Sequence, residues 1–274
     1  MKGQIIKIVS DDYFIDSSLG EIICKARGKF RKDNISPKVG DYVIFDNDKK
    51  TIEDILARKN ELDRPFVSNI DEAFIITSLK KPDFSTNLLD KLLVVCEINN
   101  IKPIICITKK DLLTKKEFSK IKPVLNYYKK IGYPVVYNKQ IFKIKRMFKN
   151  KTVVFTGQTG AGKSSLINKL DKNLNFETNE ISEALGRGKH TTRYVTLVNI
   201  AKGKVVDTPG FSAIDLSIYN DEQIKNAFIE FNKYNCPYKG CMHIKEKECE
   251  IKKHLNQEIL KSRYDNYIKF IENR

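Results

Sequence analysis

The stretch VVFTGQTGAGKSSLINKL, Val153 to Leu170, restricts the fold more than any other part of this 274-residue chain. An apolar run enters a glycine-rich loop and a helical pattern leaves it, so strand, tight turn and helix must follow one another. Gly157, Gly162, Lys163 and Ser164 satisfy the G-x-x-x-x-G-K-[ST] arrangement in the context it requires. Across Gly157, Gln158, Thr159, Gly160, Ala161 and Gly162 the glycines let backbone N–H groups converge on phosphate oxygens, and the helix N-terminus adds a favourable dipole. Lys163 then pairs with the β- and γ-phosphates, and Ser164, followed by Ser165, ligates Mg²⁺. The stretch reads as a nucleoside-triphosphate site.

Two further segments fit the same site. KVVDTPGF ends a strand at Asp207, whose carboxylate can hold Mg²⁺ while the N–H of Gly210 faces the γ-phosphate. PIICITKKD is an apolar strand followed by Thr108, Lys109, Lys110 and Asp111. The Asp111 carboxylate can accept from both N1–H and N2–H₂ of guanine, a pair that adenine does not offer, and Lys109 can lie along the base. Thr108 stands where such elements more usually carry Asn. Base element precedes phosphate loop here, a circular permutation of the Ras-like order, which is permissible because domain termini often lie close together.

The texture of the chain predicts three domains. Residues 1–65 hold five short strand patterns, GQIIKIV, YFIDS, GEIICKAR, DYVIFD and TIEDILA, which suit a small OB-fold barrel. Lys25, Arg27, Lys29 and Arg31 share one face if the third strand continues through Gly28; this reads either as a nucleic-acid surface or as a guarded edge. Residues 66–222 alternate strands with helices, the pattern of a doubly wound α/β domain with a largely parallel sheet. Residues 223–274 are helical around a cysteine cluster, and Leu255, Ile259, Leu260, Tyr264, Ile268 and Ile271 predict one buried helix face.

Fifty Lys/Arg against 34 Asp/Glu give a formal charge of +16, which attracts a polyanion; charge alone does not separate RNA from a membrane surface. No apolar run is long enough to span a bilayer and the N-terminus lacks a signal-peptide pattern, so a cytoplasmic protein is expected. Cys24, Cys96 and Cys106 read as core residues. Cys236, Cys241, His243 and Cys249, spaced C-x4-C-x-H-x5-C, suit a closed tetrahedral Zn²⁺ site of structural type, with His254 as an alternative ligand.

In order, TKKD, GQTGAGKSSLIN, GRGKHTTR, DTPGF and CPYKGCMHIKEKEC make the chain resemble the RsgA (YjeQ) family, circularly permuted GTPases of small ribosomal subunit maturation. The resemblance spans nearly the whole length. It implies an OB-fold, a permuted GTPase domain and a zinc domain that grip ribosomal RNA, hydrolysis of GTP to GDP with Mg²⁺, release from the subunit on hydrolysis, and a monomer. It makes Cys236, Cys241, His243 and Cys249 the zinc ligands and leaves His254 outside. It assigns His190 to positioning the attacking water, since Phe211 occupies the place where many GTPases carry Gln; RNA contact is the other reading of His190. In the same loop Thr192, with Thr191 in reserve, would close over Mg²⁺. Asn138-Lys139-Gln140 departs from the family's usual Ser-Ala at the second guanine contact.

Overall fold

The computed structural model describes residues 1–28, 30, 35–63, 66–171, 195–200, 202–207 and 215–272. In chain order the elements begin with β1 (Lys2–Val9), β2 (Asp12–Ser17), β3 (Gly20–Ala26), β4 (Tyr42–Asp46), β5 (Thr51–Ile55), β6 (Glu61–Asp63) and β7 (Phe66–Ser68). β8 (Glu72–Ser78), α1 (Thr86–Ile98), β9 (Lys102–Thr108), α2 (Lys115–Lys130) and β10 (Val135–Tyr137) follow. Then come α3 (Ile141–Phe148), β11 (Thr152–Gly157), α4 (Lys163–Leu170), β12 (Thr196–Ile200) and β13 (Gly203–Asp207). The chain closes with α5 (Asp221–Asn226), α6 (Glu250–Lys253) and α7 (Lys261–Glu272).

These elements pack as two compact units. The first gathers Met1–Ala73, Gln140–Phe155 and the described part of Lys163–Phe211. Within it β1 pairs with β2 and β4, β2 with β3, β3 with β5 in parallel, and β5 with β4. That circuit closes a five-stranded OB-type barrel, which removes the exposed edges an open sheet would carry. Ile5, Ile15, Cys24, Val43, Phe45 and Ile52 fill it. Gly3 is required where β1 crosses β2, since a Cβ there would lie 2.3 Å from Ile15 Cγ2. β11 runs parallel to β13, β12 is antiparallel to β13, and β1 meets β12 at Lys7 and Thr196.

The third strand does not run on through Gly28, the condition on which the basic face was read. β3 ends at Ala26, the Lys25 ammonium pairs with Asp12 at 2.7 Å, and Arg27 pairs with Glu53. Lys29 and Arg31 lie outside the described residues. The alternation that grouped four cations holds only while backbone stays extended, and that condition fails after Ala26.

The second unit gathers Phe74–Lys139, Thr156–Gly162 and the described part of Ser212–Arg274. Its strands neighbour one another in the order β10-β9-β8, with β10 parallel to β9. β8 and β9 are buried almost throughout, as expected of strands covered on both faces. The C-terminal segment belongs to this unit, and one buried ion cluster holds it there. The Arg263 guanidinium of α7, 0 % exposed, donates through Nη1 to Asp90 Oδ1 of α1 at 2.6 Å and through Nη2 to Glu230 Oε2 at 3.1 Å. Tyr128 Oη (2.7 Å) and Asn266 Nδ2 (2.7 Å) donate to Asp90, and the Phe228 ring lies 4.6 Å from the guanidinium. Burial pushes the Asp90 carboxyl up, and the Arg263 charge beside it pulls the other way.

The buried face of α7 is Arg263, Tyr264, Asn266, Tyr267 and Phe270, displaced from the apolar face read in the sequence. Residues 255–259 form turns and an isolated bridge instead of the first helical turns. Polar side chains with buried partners override the apolar periodicity there. Arg263→Met should lower the stability of the second unit by about 3–5 kcal/mol, because two buried carboxylates lose their cation. Adding Asp90→Leu and Glu230→Met should return most of it. Urea unfolding followed by tyrosine fluorescence measures both.

Candidate nucleotide and metal sites

The phosphate loop begins where β11 runs out, in the second unit. Gly157 has φ +131°, and a Cβ there would sit 2.2 Å from the Ile76 carbonyl oxygen of β8, so no larger residue fits. Gly160 (φ +75°) and Gly162 (φ +98°) also adopt left-handed backbone. Ala161 is fully buried between them. Lys163 opens α4, whose buried Leu166, Ile167 and Leu170 anchor it in the first unit. Burial lowers the Lys163 ammonium below its ordinary range, and a phosphate ligand would reverse that. Ser164 is half-buried and Ser165 exposed on the same first turn.

The segment Thr108–Asp111 touches this loop directly. Thr108, at the end of β9, donates from Oγ1 to the Ala161 carbonyl at 2.6 Å, and its methyl lies 3.9 Å from a Cβ built at Gly162. Lys109 takes φ +54° and donates from Nζ to the Lys81 carbonyl. Lys110 lies with Nζ 4.2 Å from the Phe118 ring centroid, and Asp111 is exposed on a single 3₁₀ turn, Lys110–Leu112. Asn138 N–H donates to the Ile107 carbonyl at 2.9 Å, which sets the end of β10 beside the start of this segment. Thr108, Asp111, Asn138 and Gly157–Gly162 therefore gather at the carboxyl ends of neighbouring strands, the usual ligand position of an open α/β sheet. Gln158, Thr159 and Gly160 are exposed there. Thr108 thus ties its segment to the Gly157–Gly162 loop through a hydroxyl.

Asp207 ends β13, which runs parallel to β11. His190, Thr191, Thr192, Gly210 and Phe211 lie outside the described residues.

Cys236, Cys241, His243 and Cys249 converge, with every ligand atom within 4.8 Å of the others. His243 Nδ1 lies 3.5, 3.3 and 3.4 Å from the sulfurs of Cys236, Cys241 and Cys249, and Cys236 Sγ lies 3.9 Å from Cys249 Sγ. Tetrahedral Zn²⁺ with bonds of about 2.3 Å to sulfur and 2.0 Å to nitrogen has edges of about 3.8 and 3.5 Å. The donor set fits that ion. Burial, reinforced by the neighbouring Cys236 and Cys249, pushes the Cys241 thiol up to about 12, and a bound cation would favour the thiolate. Around the cluster, Tyr264 Oη donates to the His243 carbonyl (2.6 Å) and Tyr267 Oη to the Met242 carbonyl (2.5 Å). Glu246 accepts from the N–H groups of Met242 and Ile244 at 2.8 and 2.9 Å. These anchors escape a reading by ligand spacing, although aromatic residues one turn apart on α7 carry part of the signal. His254 is engaged elsewhere, its Nδ1 2.8 Å from the Glu250 carbonyl.

Comparison with known proteins agrees with this architecture. The sequence profile of the RsgA N-terminal domain matches residues 2–52, and that of the RsgA GTPase matches residues 53–217. The small ribosomal subunit biogenesis GTPase RsgA 2 of Oceanobacillus iheyensis is 46% identical over 282 aligned residues, covering 99% of this chain and 96% of that protein. Its counterpart from Latilactobacillus sakei is 43% identical, covering 98% of this chain and 94% of the relative. Among solved structures, YloQ, described as a circularly permuted GTPase, superposes with a TM-score of 0.82 at 36% identity, covering 99% and 94% of the two chains. YjeQ from Thermotoga maritima gives 0.86 at 32%, covering 99% and 97%. Fold and motif order define a circularly permuted P-loop GTPase carrying an N-terminal OB barrel and a Cys₃His cluster. The chain belongs to the RsgA GTPase family.

Thr108→Val should destabilise the second unit by about 1–3 kcal/mol, because the buried Ala161 carbonyl loses its donor. Thr108→Ser, which keeps the donor and loses only a buried methyl, should cost about 1 kcal/mol or less. Thermal unfolding of the two variants side by side checks this.

Proposed function

We propose that this chain binds the maturing small ribosomal subunit, assists its late assembly, and hydrolyses GTP to GDP and phosphate to leave it. The observation that carries the nucleotide half is the Thr108–Ala161 hydrogen bond, which joins guanine reader and phosphate cradle in one packed unit. The ribosomal half rests on the relatives, whose names specify small ribosomal subunit biogenesis.

In this reading Asp111 accepts the guanine N1–H and N2–H₂, Lys109 lies along the base, and Thr108 and Lys110 hold that turn. Residues Gly157–Gly162 direct backbone N–H groups at the phosphates, Lys163 neutralises the β- and γ-oxygens, and Gly210 N–H meets the γ-phosphate. Ser164, Thr192 and Asp207 would hold Mg²⁺, which screens phosphate charge as the γ-phosphoryl departs. His190 orients the attacking water or takes its proton; an imidazole can do either. One structural Zn²⁺ on Cys236, Cys241, His243 and Cys249 would fix the loop that carries them beside the aromatic core of Phe228, Phe231 and Tyr267. Domains at 1–65, 66–222 and 223–274 divide the work into RNA grip, timing and RNA grip, in a cytoplasmic monomer.

Two experiments test the reading. GTP hydrolysis titrated with isolated small subunits should rise with subunit concentration. His190→Ala should bind GTP normally, lose roughly 10²–10⁴-fold in that hydrolysis, and stay on the subunit. Wild-type stimulated turnover in this variant would remove the catalytic role and leave RNA contact. Asp111→Asn should bind GTP more weakly and lose preference for GTP over ATP in competition, while keeping phosphate-loop binding of inorganic triphosphate. Unchanged guanine preference would refute the base-reading assignment.

A further inference from the structure

Between Glu117 and Asp171 the sequence contains no Asp or Glu and twelve Lys or Arg. The most concentrated part of that stretch is α3, IFKIKRMF, with Lys149 at its end. Ile144 and Phe148 are its buried residues. Phe148 packs on Phe155 (ring centroids 6.2 Å), and its carbonyl would lie 2.4 Å from a Cβ at Gly203, so this face is anchored in the first unit. The opposite face carries Phe142, Lys145, Arg146 and Lys149, all exposed and spaced i, i+3, i+4, i+7 along about 10 Å of helix.

Phe142 is 92 % exposed, the most exposed large apolar side chain among the described residues. Solvation of one phenyl ring is common, but here it heads a row of three cations. Among the described residues none of those three has a carboxylate partner, whereas Lys25, Lys59, Lys151 and Lys204 in the same unit pair with Asp12, Asp71, Glu72 and Asp16. An unpaired basic row would be a poor stability device, because like charges at i, i+3 and i+4 repel.

We propose that the α3 face is an RNA-contact surface, with Phe142 stacking on an unpaired base and Lys145, Arg146 and Lys149 meeting the adjoining phosphates. Aromatic platform beside cationic track is the combination that single-stranded nucleic acid requires. A membrane surface fits less well: an interfacial helix needs a broad apolar face for the lipid, and the apolar face of α3 is already buried in protein. The assignment deepens the ribosomal reading, since it names one surface through which that partner's RNA would be held. It assigns RNA grip to an element outside the barrel and the cysteine cluster.

The test uses the full chain with a non-hydrolysable GTP analogue, and two probes: isolated small ribosomal subunits and a short fluorescein-labelled oligouridine. Lys145→Ser/Arg146→Ser/Lys149→Ser should weaken binding and flatten the slope of log K against log salt by about 2, from roughly 0.7 per lost contact on single strands. Phe142→Ala should lose about ten-fold or more, with little change in slope, and Phe142→Tyr should restore it. Intrinsic GTP hydrolysis should stay at the wild-type level in all three, since none of these residues touches the nucleotide site. Loss with either probe supports the surface. Loss with oligouridine when wild type ignores subunits would keep the surface and overturn the ribosomal reading. Unchanged affinity and slope in the variants with every probe that wild type binds would overturn the surface, as would wild-type failure on both probes. Weakened binding only to phosphatidylserine vesicles would replace RNA by lipid.

Discussion

A guanidinium with no solvent exposure must find its counter-charges inside the protein, and Arg263 finds them on two different segments. Asp90 comes from the helix that follows β8, and Glu230 from the turn before the cysteine cluster. Taking such charges out of water costs several kcal/mol per ion, and only a fully hydrogen-bonded arrangement offsets it. Tyr127 and Tyr128 complete the shell, Tyr128 Oη donating to Asp90 at 2.7 Å and Tyr127 Oη to Glu230 at 3.3 Å. The result is specific as well as stable. A helix docked by apolar contacts alone could slide by a turn, whereas this one would strand a charge if it did.

From that anchor the rest of the second unit follows. α7 carries the tyrosines that pin the Met242 and His243 carbonyls, and those carbonyls set the loop that brings His243 among three cysteines. α1, on the other side of the ion cluster, packs against β9, whose last residue is Thr108. Thr108 in turn holds the Ala161 carbonyl of the phosphate loop. A continuous chain of packed contacts therefore runs from Thr108 to the cysteine cluster within one folded body. In the circularly permuted order the segment so anchored follows the DTPGF stretch directly in sequence.

How far the sequence could carry a reader depended on whether the constraint was local. The phosphate loop was legible because strand, glycines and helix lie in one uninterrupted stretch, and the described residues 153–170 have that form. Each of the five barrel strands was visible from alternation and turn residues. The metal set was legible from residue type. Tertiary pairings were not. Nothing adjacent to Arg263 announces Asp90 or Glu230, so α7 was read by its apolar residues and its buried face was misplaced. The basic face was read on a strand running through Gly28, whereas β3 ends at Ala26, and nothing adjacent announces that Lys25 and Arg27 pair with Asp12 and Glu53 of other strands. The β6–β7 hairpin escaped because three-residue strands leave no periodic signal.

The central claim is that the Thr108–Asp111 segment and the cysteine-cluster segment form one cooperative body held by the Arg263 cluster. Native-state amide hydrogen exchange of the whole chain across a denaturant series measures this most directly. The account predicts that protected amides of α1, β9 and α7 open in a single step with the same free energy and the same denaturant dependence. Exchange of α7 through an opening of lower free energy, while α1 and β9 remain protected, would contradict it.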